Sequence, residues 1–201
     1  MNNTGIIYGI NGPVVYLKGN TGLRMSEMVH VGEEHLVGEV ISLTKNATTV
    51  QVFEETTGLK PGAIVTGTND AISVTLGPGI LNNIFDGIQR PLSEIAAQSG
   101  KYITRGVSVD SLDTEKKWQV HMTVSKGDYV SGGTIIAETQ ETATILHKSM
   151  VPPDTEGTVV HVASDGEYTI LDPIVTLQLA DGSTKDLTLC QKWPIRIPRP
   201  A

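Results

Sequence analysis

The feature that most limits the fold is spacing. Short runs rich in Val, Ile and Thr recur along most of the chain, each divided from the next by turn-forming residues. Gly5-Ile6-Ile7-Tyr8-Gly9-Ile10 is followed by Asn11-Gly12-Pro13 and then by Val14-Val15-Tyr16-Leu17. Met28-Val29-His30-Val31, Leu36-Val37-Gly38-Glu39-Val40-Ile41-Ser42-Leu43 and Thr48-Thr49-Val50-Gln51-Val52-Phe53 continue the series, with Lys45-Asn46-Ala47 as a hairpin turn between the last two. Gly58-Leu59-Lys60-Pro61-Gly62 breaks the pattern before Ala63-Ile64-Val65-Thr66. Short β-rich runs at this spacing favour a small barrel or sandwich. Closing a barrel also removes the sheet edges that a short all-β module must otherwise protect.

The pattern then changes. Residues 80–85 and 92–98 have a more helical character, with Pro91 and Ser93 as start signals. A polar stretch over 108–117 reads as a domain junction. From Trp118 onward the strand pattern resumes in Trp118-Gln119-Val120-His121-Met122-Thr123-Val124 and in the Gly-punctuated run 126–138. Beyond the corner at Val151-Pro152-Pro153, three more strands are expected at 157–162, 168–171 and 174–179. Asp165-Gly166 and Asp181-Gly182 are hairpin signals, because Asp-Gly tolerates the positive φ of tight turns. The expected fold class is mainly β: an N-terminal barrel of six or seven strands, a short partly helical piece, and a second all-β barrel-sandwich module.

Composition excludes several classes. At 201 residues the chain holds one large domain or two small ones. A formal net charge of −7 argues against a nucleic-acid footprint, which needs clustered Lys and Arg. Cys190 is the single cysteine, so neither an intrachain disulfide nor a cysteine zinc site is available. No apolar run approaches transmembrane length and Met1-Asn2-Asn3-Thr4 lacks the features of a signal peptide, so a soluble cytoplasmic protein is expected. The tail 191–201, with Pro194, Pro198 and Pro200, reads as an extended connector of the kind that leads to a further part of a larger assembly.

No catalytic constellation emerges. Leu76-Gly77-Pro78-Gly79 is glycine-rich, but no Lys and Ser/Thr follow at phosphate-loop spacing and Pro78 removes an amide donor, so a turn is expected. Asp86-Gly87-Ile88-Gln89-Arg90-Pro91 reads as a tight turn with Asp86 capping nearby amides. His30, His35, His121, His147 and His161 lack metal-ligand spacing, and His121 and His161 are expected on solvent-facing strand positions. The clusters Asp110, Asp113, Glu115 and Glu138, Glu141 are expected to be solvated faces. The run 126–137 with Gly157-Thr158-Val159 looks like a biotinyl or lipoyl carrier, in which Lys148 would be the modified residue at an exposed hairpin tip. Lys148 lacks the flanking residues of either carrier family, and shared folding constraints explain the pattern better.

The chain as a whole resembles the N-terminal portion of the catalytic A subunit of V-type and A-type rotary ATPases and ATP synthases. Ile10-Asn11-Gly12-Pro13-Val14-Val15, Met25-Ser26-Glu27-Met28-Val29-His30-Val31-Gly32, Gln51-Val52-Phe53-Glu54-Glu55-Thr56-Thr57-Gly58-Leu59, Phe85-Asp86-Gly87-Ile88-Gln89-Arg90-Pro91-Leu92, Val151-Pro152-Pro153 and Gln191-Lys192-Trp193-Pro194 carry the resemblance. It implies a crown barrel over 1–75, the opening of an incomplete α/β nucleotide-binding domain over 76–111, an inserted bulge domain over 112–189, and a connector over 190–201 returning to the nucleotide domain. In such a family the P-loop and the catalytic glutamate come after the point where this chain ends. No catalytic, cofactor-binding or metal residue is therefore carried onto any position here, and ATP with Mg²⁺ is expected only of the longer parent. The implied partners are the B-type subunits and further copies of the A-type subunits in an alternating hexamer, together with peripheral-stalk (stator) proteins. Neither nucleic acid nor membrane insertion is expected. The implied setting is the soluble sector of a complex that couples ATP hydrolysis or synthesis to H⁺ or Na⁺ movement. A carrier domain modified on Lys148 is the alternative.

Phosphate binding needs convergent amides, a lysine and a magnesium-holding hydroxyl. Lacking that set, the chain should give no saturable heat on calorimetric titration with Mg-ATP. One-to-one binding at a micromolar dissociation constant would reveal a site that the sequence conceals.

Overall fold

Alternation of apolar residues decides how the first strands lie. β1 (Thr4–Asn11) and β2 (Val14–Lys18) are joined at Gly12-Pro13 and pair antiparallel, with Ile10 opposite Val15 and Asn11 opposite Val14. β3 (Glu27–Val31), β4 (Leu36–Leu43), β5 (Ala47–Val52) and β6 (Ile64–Ala71) complete a closed barrel in the order β1-β2-β5-β4-β3-β6. Closure comes from β1 meeting β6, with Gly5 opposite Val65 and Ile6 opposite Ile64. The two-residue side-chain period sends Ile7, Val15, Leu17, Val29, Val31, Leu36, Val40, Val50 and Val65 inward. Register shifts between Ile7 and Gly9 and between Val40 and Ser42 bend the strands, as curvature in so small a barrel requires. Thr44 fastens the β4–β5 turn by exchanging hydrogen bonds with the Ala47 amide and carbonyl.

The structure is a computed structural model that describes residues 3–19, 21–100, 105–196 and 198. The barrel has six strands. β7 (Ser73–Leu76) lies outside it and pairs with the last strand of the chain. α1 (Leu92–Ser99) starts just after Pro91 as the sequence predicts, and buries Ile95. Residues 80–85 are not helical, contrary to expectation. Gly79 (φ 100°) and Asn82 (φ 65°) turn the backbone left-handed, and Phe85 forms an isolated bridge with Pro91.

The chain divides into two compact units. The barrel unit takes the described residues within Met1–Val74, Ser93–Val109 and Pro194–Ile197. The sandwich unit takes those within Thr75–Leu92, Asp110–Trp193 and Pro198–Ala201. Residues 76–111 therefore contribute to both.

In the sandwich unit, β8 (Trp118–Met122), β9 (Tyr129–Val130), β10 (Ile135–Gln140), β11 (Leu146–Met150), β12 (Gly157–Val162), β13 (Gly166–Tyr168), β14 (Val175–Gln178) and β15 (Thr184–Leu187) form two four-stranded sheets. Their orders are β11-β10-β8-β13 and β15-β14-β12-β9. β16 (Gln191–Pro194) is the strand that pairs with β7. Asp181-Gly182 makes the predicted β14–β15 hairpin, with Gly182 at φ 82°. Asp165-Gly166 does not make one. The strands flanking it belong to different sheets, because Asp165 accepts a hydrogen bond from the Met122 amide and engages the His121 ring, tying the corner to β8. Val120, Ile136, Val159, Ile170, Ile174 and Leu177 fill the core, and Ile80 and Phe85 pack against it from the 75–92 segment.

Leu177 is fully buried at the centre of β14. Replacing it with alanine should destabilise the sandwich unit by about 3 kcal/mol, the cost of a cavity that cannot collapse. Urea denaturation followed by Trp118 and Trp193 fluorescence checks this.

Candidate functional site

The glycine-rich turn after β7 does form an anion-accepting arrangement, and the chain fills it itself. The amides of Gly79 and Leu81 both donate to Glu141 Oε1, at 2.9 and 3.0 Å. A Cβ on Gly79 would stand 3.3 Å from the Trp118 ring, so close approach as well as φ favours glycine there. Charge clustering in the sequence puts Glu141, just beyond β10, on a solvated face with Glu138. Its side chain is instead only 3% exposed, since the two amides replace water around the carboxylate. His147 on β11 places Nδ1 3.4 Å from Glu141 Oε2. Burial pushes His147 below its ordinary pKa, against the opposing pull of Glu141.

Asp86 closes a second turn. Its Oδ1 accepts from the amides of Ile88 and Arg90, and its Oδ2 accepts from Arg90 Nε at 2.8 Å. Gln89 (φ 62°) carries its buried side chain to the Thr75 backbone, donating to the carbonyl and accepting from the amide. The acid and base that are close in sequence are thus spent on fixing the chain. Partial burial works to raise Asp86, but the Arg90 and Ile88 hydrogen bonds outweigh it and hold the carboxyl below its usual value.

The barrel unit buries two carboxylates that no sequence motif announces. Glu27 on β3 accepts from the Arg24 amide at 2.6 Å and the Asn69 amide at 2.9 Å. Glu39 on β4 forms a two-pronged pair with Arg196, at 3.0 Å to Nε and 2.6 Å to the second nitrogen. Glu27 stands two residues before Val29, in phase with the inward face, and Glu39 interrupts an apolar run. Both patterns mark a carboxylate that needs a partner. Nothing local points to Arg196, which lies 157 residues away.

On the outer barrel surface, Ile6 (60% exposed), Tyr8 (54%) and Ile64 (57%) form an apolar patch, with Tyr16 beside Tyr8 at 6.2 Å between rings. The patch borders a groove of about 850 Å³ lined by Val31, Leu36, Leu59, Lys60, Ala63 and Ile64. Arg105 fastens the loops at this end by donating to Glu34 and to the Thr57 carbonyl.

His30 and His35 meet edge to face at 5.8 Å, and no group of three or more potential metal ligands occurs among the described residues. His121 and His161 are exposed. Asp113 caps the amides of Glu115 and Lys116 in its own turn. Lys148 sits mid-strand, opposite Glu138 in the β10–β11 ladder, while the hairpin tip is 141–145. A swinging carrier needs its lysine at the tip, so this placement does not favour that alternative. Among the described residues no helix is long and apolar enough to cross a membrane.

Asp86→Asn should cost about 2 kcal/mol at neutral pH, the scale of hydrogen bonds to a charged group. Because the folded pKa is lowered, the wild-type advantage is present above the ordinary aspartate value and disappears as pH falls through the folded one. Urea midpoints of both proteins at neutral pH and near pH 3 test the sign.

Residues 7–69 match the β-barrel domain of the ATP synthase alpha/beta family, and residues 109–196 match the barrel-sandwich domain of the ATP synthase alpha/beta subunit. The chain is 47% identical to the A subunit of the A-type ATP synthase of Methanopyrus kandleri, over 98% of its own length and 33% of that protein's. It is 46% identical to the V-type ATP synthase alpha chain of Halothermothrix orenii, over 100% of its length and 34% of the relative's. The corresponding chain of Thermoanaerobacter pseudethanolicus is 45% identical over 98% and 33%. The chain spans about a third of the length of these curated relatives. It belongs to the ATP synthase alpha/beta family, matching the N-terminal region of the A-type and V-type catalytic A subunit.

Proposed function

We propose that this chain supplies the non-catalytic N-terminal portion of the A subunit in a V/A-type rotary ATPase or ATP synthase. Its barrel joins a crown, with B-type subunits and further copies of the A-type subunits as neighbours, and its sandwich unit contacts the peripheral stalk. The parent complex couples ATP hydrolysis or synthesis to H⁺ or Na⁺ movement, and this portion lies in its soluble sector on the cytoplasmic side. ATP chemistry belongs to other parts of the subunit.

The observation that carries the reading is the outward Ile6–Tyr8–Ile64 patch. A closed barrel has no unpaired strand edge to offer, so association must proceed through side chains on its outer surface. Three large apolar residues more than half exposed on adjoining strands supply such a face. The internal engagement of Glu27, Glu39, Asp86 and Glu141 fits a scaffold better than a reaction centre.

Sedimentation with the B-type partner tests the proposal. Wild-type chain should form a mixed complex, and Ile6→Lys/Ile64→Lys should lose it while keeping the wild-type melt. A patch variant that assembles as well as the wild type would refute the assignment of this face.

A further inference from the structure

The contacts between the 77–85 loop and the β10–β11 hairpin converge on one pair of side chains. Glu141 Oε1 holds the loop through the Gly79 and Leu81 amides. Glu141 Oε2 is buried and has no hydrogen-bond partner among the described residues. The nearest titratable group is His147, whose Nδ1 lies 3.4 Å away with its side chain 21% exposed. Thr139, directly opposite His147 in the ladder, is buried on the same face.

Other charges around His147 are disposed elsewhere. Lys148 and Glu138 face each other from neighbouring positions of the ladder, 3.9 Å apart and partly exposed. His121 on β8 engages Asp165 at 2.6 Å on an exposed face. Segment 76–85 carries no ionisable side chain, and Asp86 is committed to Arg90. Cys190 shares with His147 the lining of a small cavity of about 40 Å³ beside 188–191.

We propose that Glu141 and His147 form an acid-sensitive latch that fastens the 77–85 loop to the β10–β11 hairpin. Neutral His147 stays packed beside the carboxylate and leaves it on the amides. A proton on His147 makes a cation that this mostly buried position does not solvate. The ring then turns out to solvent, or it draws Glu141 towards itself and off the amides. Either movement frees Gly79 and Leu81. The direction of the His147 shift agrees, since a lowered folded value means that stability is kept above the ordinary histidine range and lost as pH falls below it.

Nuclear magnetic resonance on the full chain tests the latch. Between about pH 8 and pH 5, His147 should titrate below the ordinary histidine value, with the Gly79 and Leu81 amide shifts moving at the same midpoint. Exchange protection at those amides should fall about tenfold over the step, the change expected for one unit of pKa. In His147→Asn the amides should stay unchanged through the range. In Glu141→Gln protection should be low throughout, with no step. A step that survives in His147→Asn, or a His147 titration that leaves both amides unmoved in the wild type, would overturn the proposal. If His147→Asn does not fold, the coincidence of midpoints in the wild type and the loss of the step in Glu141→Gln decide the matter.

Discussion

The short pairing of β1 with β6 holds the barrel closed. Thr4, Gly5 and Ile6 meet Thr66, Val65 and Ile64, turning an open sheet into a closed one. Closure sets the inside and outside of the barrel together. Val65 and Ile7 join the core, while Ile6 and Ile64 are left side by side on the surface. A slip of one residue would exchange the two sets, burying the patch and exposing the core. The same alternation that stabilises the fold therefore creates the face proposed for assembly.

Buried carboxylates give the two units their fixed turns. Glu27 holds the amides of Arg24 and Asn69, Asp86 those of Ile88 and Arg90, and Glu141 those of Gly79 and Leu81. Glu39 instead takes a guanidinium and secures Arg196 to the barrel unit. Amide donors that a catalytic loop would turn towards a ligand are occupied by the protein's own anions. The sequence shows the glycines of such a loop, and the fold shows which acid they serve.

Legibility follows the range of the interactions. The barrel strands can be read because inward and outward residues alternate locally, and the Asp181-Gly182 hairpin because Gly182 must adopt positive φ. Asp86 is recognisable as a capping residue because its partners lie within four positions. The features that local pattern misreads are long-range. Residues 80–85 look helical from their apolar spacing, but Glu141, sixty positions from Leu81, captures two amides of the turn. Asp165-Gly166 looks like a hairpin until the pairing of β13 with β8 carries the chain to the other sheet. The Lys148 carrier reading depends on a tip position, and the ladder register with Glu138 places that lysine mid-strand.

If the outer β1–β6 face is where this chain meets its neighbours, binding must shield those two strands. Hydrogen–deuterium exchange mass spectrometry, run on the chain alone and with its B-type partner, reads that shielding peptide by peptide. Added protection should concentrate in peptides covering Thr4–Asn11 and Ile64–Ala71. A complex that forms with exchange unchanged on both strands would contradict assembly through this face.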